Sequence, residues 1–182
     1  MAREIKAIEY EIIDSTNLQA RRLIEAADGG EIQPTVLIAE GQTAGRGRLG
    51  RSFYSPTDTG LYTSLIIESP TELDKLLSLT ALAAVAASEA IEAAFGIRVG
   101  IKWVNDLYAN GKKLAGILVE GEMDSDGNLA YIVCGLGINV YKNAISEEIS
   151  SIATSIENET GVRIEREALA VEIIREETED SY

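Results

Sequence analysis

The sequence predicts an α+β fold, in which helices flank a mixed β-sheet. Strand-like apolar runs are joined by short turns in some places and by long helical segments in others, which favours a mixed sheet over a doubly wound one. The phosphate-binding fingerprint GxxxxGK[ST] is absent from the sequence. With 182 residues, of which 46% are hydrophobic, the chain is long enough for one compact domain and short for two.

The first half of the chain predicts three strands and one helix. Hydrophobic period and turn residues indicate a strand in IEYEII, a helix in LQARRLIEAA, a strand in TVLIAEGQ and a strand with alternating faces in GLYTSLIIES. Asp14, Ser15 and Thr16 stand where a helix N-cap belongs, and residues 28–30 end the helix. A loop rich in glycine and arginine therefore lies between two strands.

The second half predicts a long helix and a further group of strands. An alanine-rich helix runs from about residue 72 to residue 95, and the strand VGIKW and the turn NDLYANGKK follow it. Two more strands, LAGILVEGEM and AYIVCGLGINV, flank the turn DSDGN. Helical patterns return in SSIATSIENETG and REALAVEIIREE, and we expect the acidic tail, residues 176–182, to fray.

The composition excludes several kinds of chemistry. The sequence has no histidine, which excludes a Ser-His-Asp triad, a Cys-His pair and any zinc site that uses histidine. Its single cysteine, Cys134, lies in an apolar run, and we expect a buried, unreactive thiol there. We find neither a signal peptide nor an apolar run of the roughly 20 residues that a membrane span requires. We therefore expect a cytoplasmic protein with no membrane partner.

The segment AEGQTAGRGRLGRSFYSP is the most distinctive part of the sequence. Its glycines allow the backbone to turn N–H groups toward a ligand, and its arginines match phosphate or carboxylate oxygens. These residues are Gly45, Gly47, Gly50, Arg46, Arg48 and Arg51. A flexible, solvated basic hairpin is the alternative interpretation. Because the formal charge of the chain is −14, nucleic acid is a poor partner and DNA binding is not expected.

Five blocks of sequence resemble one known family. In chain order they are DSTN (14–17), GQTAGRGRLGR (41–51), KWVND (102–106), KLAGILVE (113–120) and GLGINV (135–140). Together they resemble the catalytic domain of biotin protein ligases, in the biotin/lipoate ligase superfamily, from residue 10 to about residue 175. The resemblance implies the class II aminoacyl-tRNA synthetase-like fold of that domain. It also implies an ATP-dependent enzyme that forms biotinyl-5′-AMP and transfers biotin to a lysine of a carrier domain.

ATP and biotin are the substrates that the resemblance implies, with Mg²⁺ accompanying ATP and no separate protein metal site. The implied partner is the biotin carboxyl carrier domain of a biotin-dependent carboxylase, and a homodimer is left open. Both steps develop negative charge on phosphate oxygens, so electrostatic positioning suits a chain that has no histidine. The alternatives are a non-catalytic biotin-binding homologue and the transfer of lipoate or octanoate. Octanoyl transfer requires a catalytic cysteine, for which Cys134 is a poor candidate.

The resemblance implies a biotin pocket that draws on several of the blocks. Ser15, Thr16 and Gln42 match positions that bind the ureido ring, although a helix cap or a polar strand end would also account for them. Gly116 would allow the ligand to lie against the strand backbone. The other residues that we expect to contact biotin are Asn17, Gly45, Arg46, Lys113 and Gly135.

The resemblance also implies an adenylate site with three catalytic residues, Lys113, Arg48 and Asp106. We expect Lys113 to bridge the biotin carboxylate and the α-phosphate, and Arg48 to lie in a loop that closes over biotinyl-AMP. Asp106 is expected to hold Mg²⁺ or orient the incoming amine, with a turn-initiating Asn-Asp as the alternative. The remaining expected adenylate contacts are Arg46, Gly47, Arg51, Phe53, Asn105 and Asn139. A core phenylalanine and a strand-end asparagine would explain Phe53 and Asn139 almost as well.

The sequence departs from the family pattern at three points. Val104 replaces the proline usual in KWPND, and Phe53 stands where tryptophan is common. Family members generally add a small SH3-like domain after the catalytic one, and this chain ends in EETEDSY. We therefore expect residues 1–175 to form the catalytic domain, without an N-terminal winged helix or a C-terminal SH3-like domain. Without the latter, we expect weaker ATP or carrier binding.

Overall fold

A seven-stranded mixed sheet organises the part of the chain that the computed structural model describes, residues 5–69 and 75–164. In chain order its strands are β1 (Lys6–Ile13), β2 (Thr35–Gln42), β3 (Gly60–Glu68), β4 (Gly100–Lys102), β5 (Asp106–Ala109), β6 (Lys112–Met123) and β7 (Leu129–Asn139). Their order across the sheet is β1-β2-β3-β7-β6-β5-β4. β1 and β2 are parallel, and every other neighbouring pair is antiparallel. The predicted α+β fold with a mixed sheet is confirmed.

The described residues form three α-helices: α1 (Thr16–Ala26), α2 (Leu76–Phe95) and α3 (Ile156–Thr160). α1 lies in the connection between the parallel strands β1 and β2, which require a crossover rather than a hairpin. Short 3₁₀ turns lie at Arg48–Gly50, Lys142–Ala144 and Glu147–Ile149. The first of these turns belongs to the glycine-arginine loop between β2 and β3.

The two long helices cover opposite faces of the sheet. Ala84 and Ile91 of α2 belong to an apolar cluster that includes Ile138 of β7. Ala20 of α1 belongs to a second cluster that includes Val133 of the same strand. Val133 and Ile138 are five positions apart, so their side chains point to opposite sides of the sheet. The central strands are therefore buried on both faces.

Three expectations about these elements are wrong. The sequence predicts alternating faces for β3, yet residues 60–66 are all buried because helices cover both sides of the sheet. The turn predicted in NDLYANGKK contains β5, and the chain reverses at Asn110 and Gly111, which both have positive φ. The helix predicted in SSIATSIENETG is limited to α3, whose N-cap Ser155 hydroxyl accepts a hydrogen bond from the Asn158 N–H at 3.2 Å.

The other elements agree with the sequence wherever the structure describes them. The predicted strands IEYEII, TVLIAEGQ, LAGILVEGEM and AYIVCGLGINV coincide with β1, β2, β6 and β7 to within a few residues, and VGIKW contains β4. The alanine-rich helix is described from Leu76 onward. Residues 72–74 of its predicted start, the helix predicted in REALAVEIIREE and the acidic tail, residues 176–182, lie outside the described residues.

Contrary to the expectation from the sequence, one helix of the described residues, α2, is long and apolar enough to cross a membrane. A helix packed in a protein core meets the same two criteria. Ala84, Ala87 and Ala90 are at most 1% exposed and pack in the cluster that includes sheet residues. α2 therefore has the contacts of a core helix.

Candidate active site

A cleft with a volume of about 340 Å³ opens beside the start of α1. Its walls come from α1, the end of β2, the glycine-arginine loop, the connection between β4 and β5, and the middle of β6 and β7. The predicted site residues that line it are Ser15, Thr16, Asn17, Gln42, Arg46, Gly47, Arg48, Arg51, Phe53, Asn105, Asp106, Lys113, Gly116 and Gly135. Residues far apart in the sequence therefore converge on one site.

Two predicted site residues are not among those that line the cleft. Gly45 lies so close to its neighbours that a Cβ would overlap the Phe53 carbonyl oxygen and meet the Ser55 hydroxyl. Asn139 is buried, and its side-chain amide donates to the Thr154 carbonyl at 3.0 Å. This agrees with the alternative that it is a strand-end asparagine with a structural role. Ligand contacts by Gly45 and Asn139 stay predictions, and this geometry gives them no support.

The glycine-arginine loop folds into a small hairpin beside the cleft. The Gly47 N–H donates to the Arg51 carbonyl at 2.7 Å, and the Phe53 N–H donates to the Gly45 carbonyl at 2.9 Å. Gly50 at the tip has a φ of 74°, which a residue without a Cβ adopts at little cost. All three arginines of the loop line the cleft. The loop therefore presents a concentration of positive charge to whatever the cleft binds.

A buried polar cluster lies at the start of α1. The Gln42 side-chain oxygen accepts hydrogen bonds from the Thr16 backbone N–H at 2.8 Å and the Thr16 hydroxyl at 3.2 Å. The Gln42 amide donates to the Ser55 hydroxyl at 2.9 Å. Ser15 is the N-cap residue, but its side chain makes no capping bond. Ser15 is 2% exposed and its hydroxyl has no hydrogen-bond partner among the described residues, which suits contact with a polar ligand.

Asn17 connects α1 to the sheet. Its amide donates to the Glu120 carboxylate at 2.8 Å and to the Leu118 carbonyl at 3.2 Å. Its side-chain oxygen accepts a hydrogen bond from the Ser64 hydroxyl at 2.6 Å. A Cβ at Gly135 would overlap this amide. Because the Asn17 side chain is engaged on both of its polar atoms, it shapes the wall of the cleft.

The three predicted catalytic residues are connected through Asn105. The Lys113 ammonium donates to Asp106 Oδ1 at 2.7 Å. The Asn105 amide donates to the same oxygen at 3.1 Å, and its side-chain oxygen accepts a hydrogen bond from Arg48 at 3.3 Å. The Lys113 ammonium, the Asp106 carboxylate and the Arg48 guanidinium are thus linked by hydrogen bonds along the cleft.

Phe53 takes part in both the core and the cleft. Its ring packs edge-on against Tyr62, with 6.4 Å between ring centres, and the Lys113 ammonium lies 5.6 Å from its centre. A Cβ at Gly116 would lie 3.2 Å from the ring, and one at Gly137 would lie 2.7 Å from it. The two glycines therefore make room for Phe53 against the sheet. Phe53 packs on the core residue Tyr62, as a core phenylalanine would, and it also lines the cleft.

Sequence reasoning missed several residues at the mouth of the cleft. Lys102 and Trp103 line it, and the Lys102 ammonium donates to the Tyr108 hydroxyl at 3.3 Å. Trp103 is 75% exposed and Leu49 is 90% exposed, so two large apolar side chains of the lining face solvent. The motif KWVND contains two of these residues, but its sequence does not reveal that they face the cleft. The remaining unpredicted lining residues are Ser52, Thr63, Ile117, Leu118, Leu136 and Gly137.

Glu120 is a further residue that sequence reasoning left without a role. Its carboxylate lies 3.2 Å from Arg46 Nη1, and 3.9 Å from Arg21 Nη2. Glu122, two positions further along β6, pairs with Arg21 Nε at 2.8 Å. These pairs join the loop, α1 and β6 at one edge of the cleft.

The described residues contain no group of three or more His, Cys, Asp or Glu side chains that could hold a metal ion. Asp106 is a carboxylate that lines the cleft beside Lys113. Mg²⁺ in nucleotide sites is commonly held by one or two carboxylates together with phosphate oxygens. Asp106 therefore fits a Mg²⁺ ion that arrives with ATP.

The junction between β1 and α1 depends on a charged pair, and we expect it to weaken in acid. The hydrogen bond from Arg22 to the Asp14 carboxylate lowers the pKa of Asp14, and the Ser15 N–H that donates to it lowers this pKa further. Because the pKa of Asp14 is lower in the folded state, its ionised carboxylate adds to the free energy of unfolding at pH values above the unfolded pKa of about 4. This contribution is lost as the pH falls through the pKa of the folded state. Asp14→Asn should therefore lower the melting temperature slightly at pH 7, and the difference from wild type should shrink at the lowest pH. Thermal denaturation at several pH values measures this.

The chain is similar to proteins of one family. A sequence profile described as the biotin/lipoate A/B protein ligase family matches residues 12–139. The bifunctional ligase/repressor BirA of Bacillus spizizenii is 38% identical over 169 residues, which are 92% of this chain and 51% of that protein. The biotin–[acetyl-CoA-carboxylase] ligase of Mycobacterium tuberculosis is 37% identical over 166 residues, 89% of this chain and 59% of that protein. The chain thus spans little more than half the length of these curated relatives.

A solved structure agrees with the fold. The biotin protein ligase from Aquifex aeolicus, in complex with biotin and ATP, matches with a TM-score of 0.78 and 33% sequence identity. The match covers 96% of this chain and 69% of that one. The mixed sheet and its helices are therefore shared with a protein whose crystal contains both small molecules.

Proposed function

Because this chain belongs to the biotin/lipoate A/B protein ligase family, we propose that it is the catalytic domain of an ATP-dependent biotin–protein ligase. In this proposal residues 1–175 activate biotin as biotinyl-5′-AMP and transfer it to a lysine of a biotin carboxyl carrier domain. The observation that carries the proposal is the ion pair of Lys113 and Asp106 at 2.7 Å. It lies in a cleft with a buried polar cluster in one wall and three arginines in another.

The first step is attack of a biotin carboxylate oxygen on the α-phosphorus of ATP. The new P–O bond forms as the bond from the α-phosphorus to the bridging oxygen breaks, and pyrophosphate leaves with the electron pair. Two anions must approach each other, so a compact ammonium between them lowers their repulsion. We assign this role to Lys113, with Arg48 binding phosphate oxygens from the loop.

The second step is attack of the carrier lysine amine on the acyl carbon of biotinyl-AMP. The C–N bond forms, the C–O bond breaks and AMP leaves with its electron pair, and the amine gives its proton to water. Asp106 is the carboxylate in the cleft that could orient this amine, and it could also hold the Mg²⁺ that arrives with ATP. The loop would keep water away from the reactive anhydride between the two steps.

The biotin end of the site is assigned to the cluster at the start of α1. The Ser15 hydroxyl is buried and has no hydrogen-bond partner among the described residues, so it can bond to the ureido group. Gln42 holds Thr16 in place through two hydrogen bonds. Gly116 and Gly135 line the cleft, and because they have no Cβ the Phe53 and Asn17 side chains can pack close to the sheet there.

We also propose a cytoplasmic location and a carrier domain from a biotin-dependent carboxylase as the protein partner. DNA and membranes are not proposed as partners, and homodimerisation remains open. Cys134 is half-buried on β7 and is not among the residues that line the cleft, which offers no support to a cysteine-dependent acyl transfer.

The transfer reaction tests the proposal. The chain would be incubated with ATP, Mg²⁺, a purified carrier domain and either biotin or lipoate, and the group added to the carrier would be identified by mass spectrometry. We expect modification of one carrier lysine, and none when that lysine is replaced by arginine. Modification by lipoate instead of biotin, or biotin binding without modification, would reject the proposed function.

Replacing Arg48, the loop arginine that bonds to Asn105, should release the intermediate faster. Arg48→Gly removes the guanidinium that bonds to Asn105, and we expect biotinyl-AMP to escape about 10- to 100-fold faster because the loop loses a tether and an anion contact. The rate at which radiolabelled adenylate leaves the protein measures this. Arg98→Gly, at an exposed position outside the cleft, is the matched control and should retain adenylate as wild type does. Unchanged retention in Arg48→Gly would contradict the role of the loop.

A further inference from the structure

We propose that Glu120 is a positioning residue that holds Arg46 in its arrangement toward the cleft. This inference rests on the proposed function, because it assumes that Arg46 contacts the adenylate. Glu120 lies on β6, seven residues beyond Lys113, and it is not among the residues that line the cleft. It acts through the residue that it touches.

The contacts of Glu120 tie three segments of the chain together. Its carboxylate accepts a hydrogen bond from the Asn17 amide at 2.8 Å, which fixes the carboxylate relative to α1. Arg46 Nη1 lies 3.2 Å from one of its oxygens and 3.5 Å from the other. Arg21 lies 3.9 Å away on the outer side. A carboxylate held in this way gives the loop a fixed point on the sheet.

The geometry leaves Arg46 able to bind an anion at the same time. A guanidinium group has five N–H donors in a rigid fork, and the contacts with Glu120 use one nitrogen, Nη1. The remaining donors are available to a ligand in the cleft, which Arg46 lines. Because Glu120 orients the Arg46 guanidinium before the ligand binds, less side-chain entropy is lost on binding.

The contacts of Arg46 set it apart from the other arginines of the loop. Arg48 bonds to the neutral side chain of Asn105, whereas Arg46 pairs with a carboxylate whose side chain is 19% exposed. Partial burial makes the pair less screened than one on the surface. Arg46–Glu120 therefore joins the loop to β6 through opposite charges, whereas Arg48–Asn105 joins it to the connection between β4 and β5 through a neutral amide.

The test compares Glu120→Gln with wild type. Glutamine keeps a hydrogen-bond acceptor near Arg46 and removes the charge, so the fold is expected to persist. We expect biotinyl-AMP to dissociate about tenfold faster, and the KM for ATP to rise while kcat stays within about threefold of wild type. A stable sulfamate analogue of biotinyl-AMP should show the same loss of affinity, measured by calorimetry without any catalytic turnover.

Glu122→Gln is the matched control. Glu122 is two positions away on β6 and, like Glu120, pairs with Arg21, but no contact between it and Arg46 is found among the described residues. We expect Glu122→Gln to change the melting temperature about as much as Glu120→Gln and to leave adenylate retention unchanged. Equal losses of retention in the two variants would show a general structural effect and overturn the inference.

A double-mutant cycle with Arg46→Gln completes the test. If Glu120 acts through Arg46, adding Glu120→Gln to Arg46→Gln should weaken binding of the analogue by less than twofold. A full tenfold further loss would overturn the inference, as would tighter binding of the analogue to the Glu120→Gln single variant. Absence of adenylate formation by wild type would reject the proposed function instead. The calorimetric comparison of the variants would then still decide the role of Glu120.

Discussion

Lys113→Met is expected to abolish most adenylate formation. The substitution keeps a chain of similar length beside the Phe53 ring and removes the ammonium that lies 2.7 Å from Asp106. Loss of one preorganised charge at the reacting phosphate typically costs about 10²- to 10³-fold in rate. We expect a loss of this size in the biotin-dependent exchange of pyrophosphate into ATP. Biotin binding itself should weaken much less, because its ureido end lies at the other side of the cleft in our proposal.

Lys112→Met is the control for this variant. Lys112 is adjacent in sequence, but its ammonium donates to the Ser150 carbonyl at 2.7 Å and it is not among the residues that line the cleft. We expect it to retain the exchange rate of wild type to within about twofold. Lys113→Arg should remain far below wild type, because a planar guanidinium does not reproduce a compact ammonium. Equal rates for Lys113→Met and wild type would reject the assigned role.

Gly135→Ala is expected to damage both the fold and the biotin end of the site. The added Cβ would overlap the side-chain oxygen of Asn17 and lie 2.9 Å from its Cγ. Asn17 would have to turn away from its hydrogen bonds with Ser64 and Glu120. Breaking a buried network of this kind costs about 1–3 kcal/mol of unfolding free energy. We also expect biotin affinity to fall more than about tenfold, since a displaced side chain would enter the cleft.

Gly100→Ala provides the comparison for Gly135→Ala. Gly100 is also a strand glycine, but the nearest atom that a Cβ would meet there is 3.9 Å away. Urea denaturation and biotin titration of the two variants measure the two effects. We expect Gly100→Ala to lie within about 0.5 kcal/mol of wild type. A Gly135→Ala variant with wild-type stability and biotin affinity would show that Asn17 is free to move.

Much of the site was predictable because its residues occur in compact sequence motifs. KWVND and KLAGILVE contain Asp106 and Lys113, and the structure brings their side chains into contact because β5 and β6 pair directly. The glycines and arginines of the loop indicate an anion-binding segment but leave a solvated basic hairpin as the alternative, and the structure places all three arginines at the cleft. The fold class followed from the alternation of hairpins with long helical connections.

Other features depend on contacts that no local pattern reveals. Asn17 bonds to residues more than 100 positions away on β6, and the sequence around it predicts a helix start and a ligand contact but not these bonds. Glu120 looks like an ordinary strand carboxylate until the loop brings Arg46 beside it. β5 was not predicted, because a strand of four residues between two turns is too short to show a clear alternation of apolar and polar residues. Burial of β3 on both faces likewise required the positions of both helices.

In our proposal this cleft activates the carboxylate of biotin with ATP. The most direct measurement is exchange of labelled pyrophosphate into ATP by the purified chain with Mg²⁺, with and without biotin. We expect exchange that requires biotin and is lost in Lys113→Met while it persists in Lys112→Met. Biotin binding with no exchange, or exchange that proceeds equally well without biotin, would contradict this proposal.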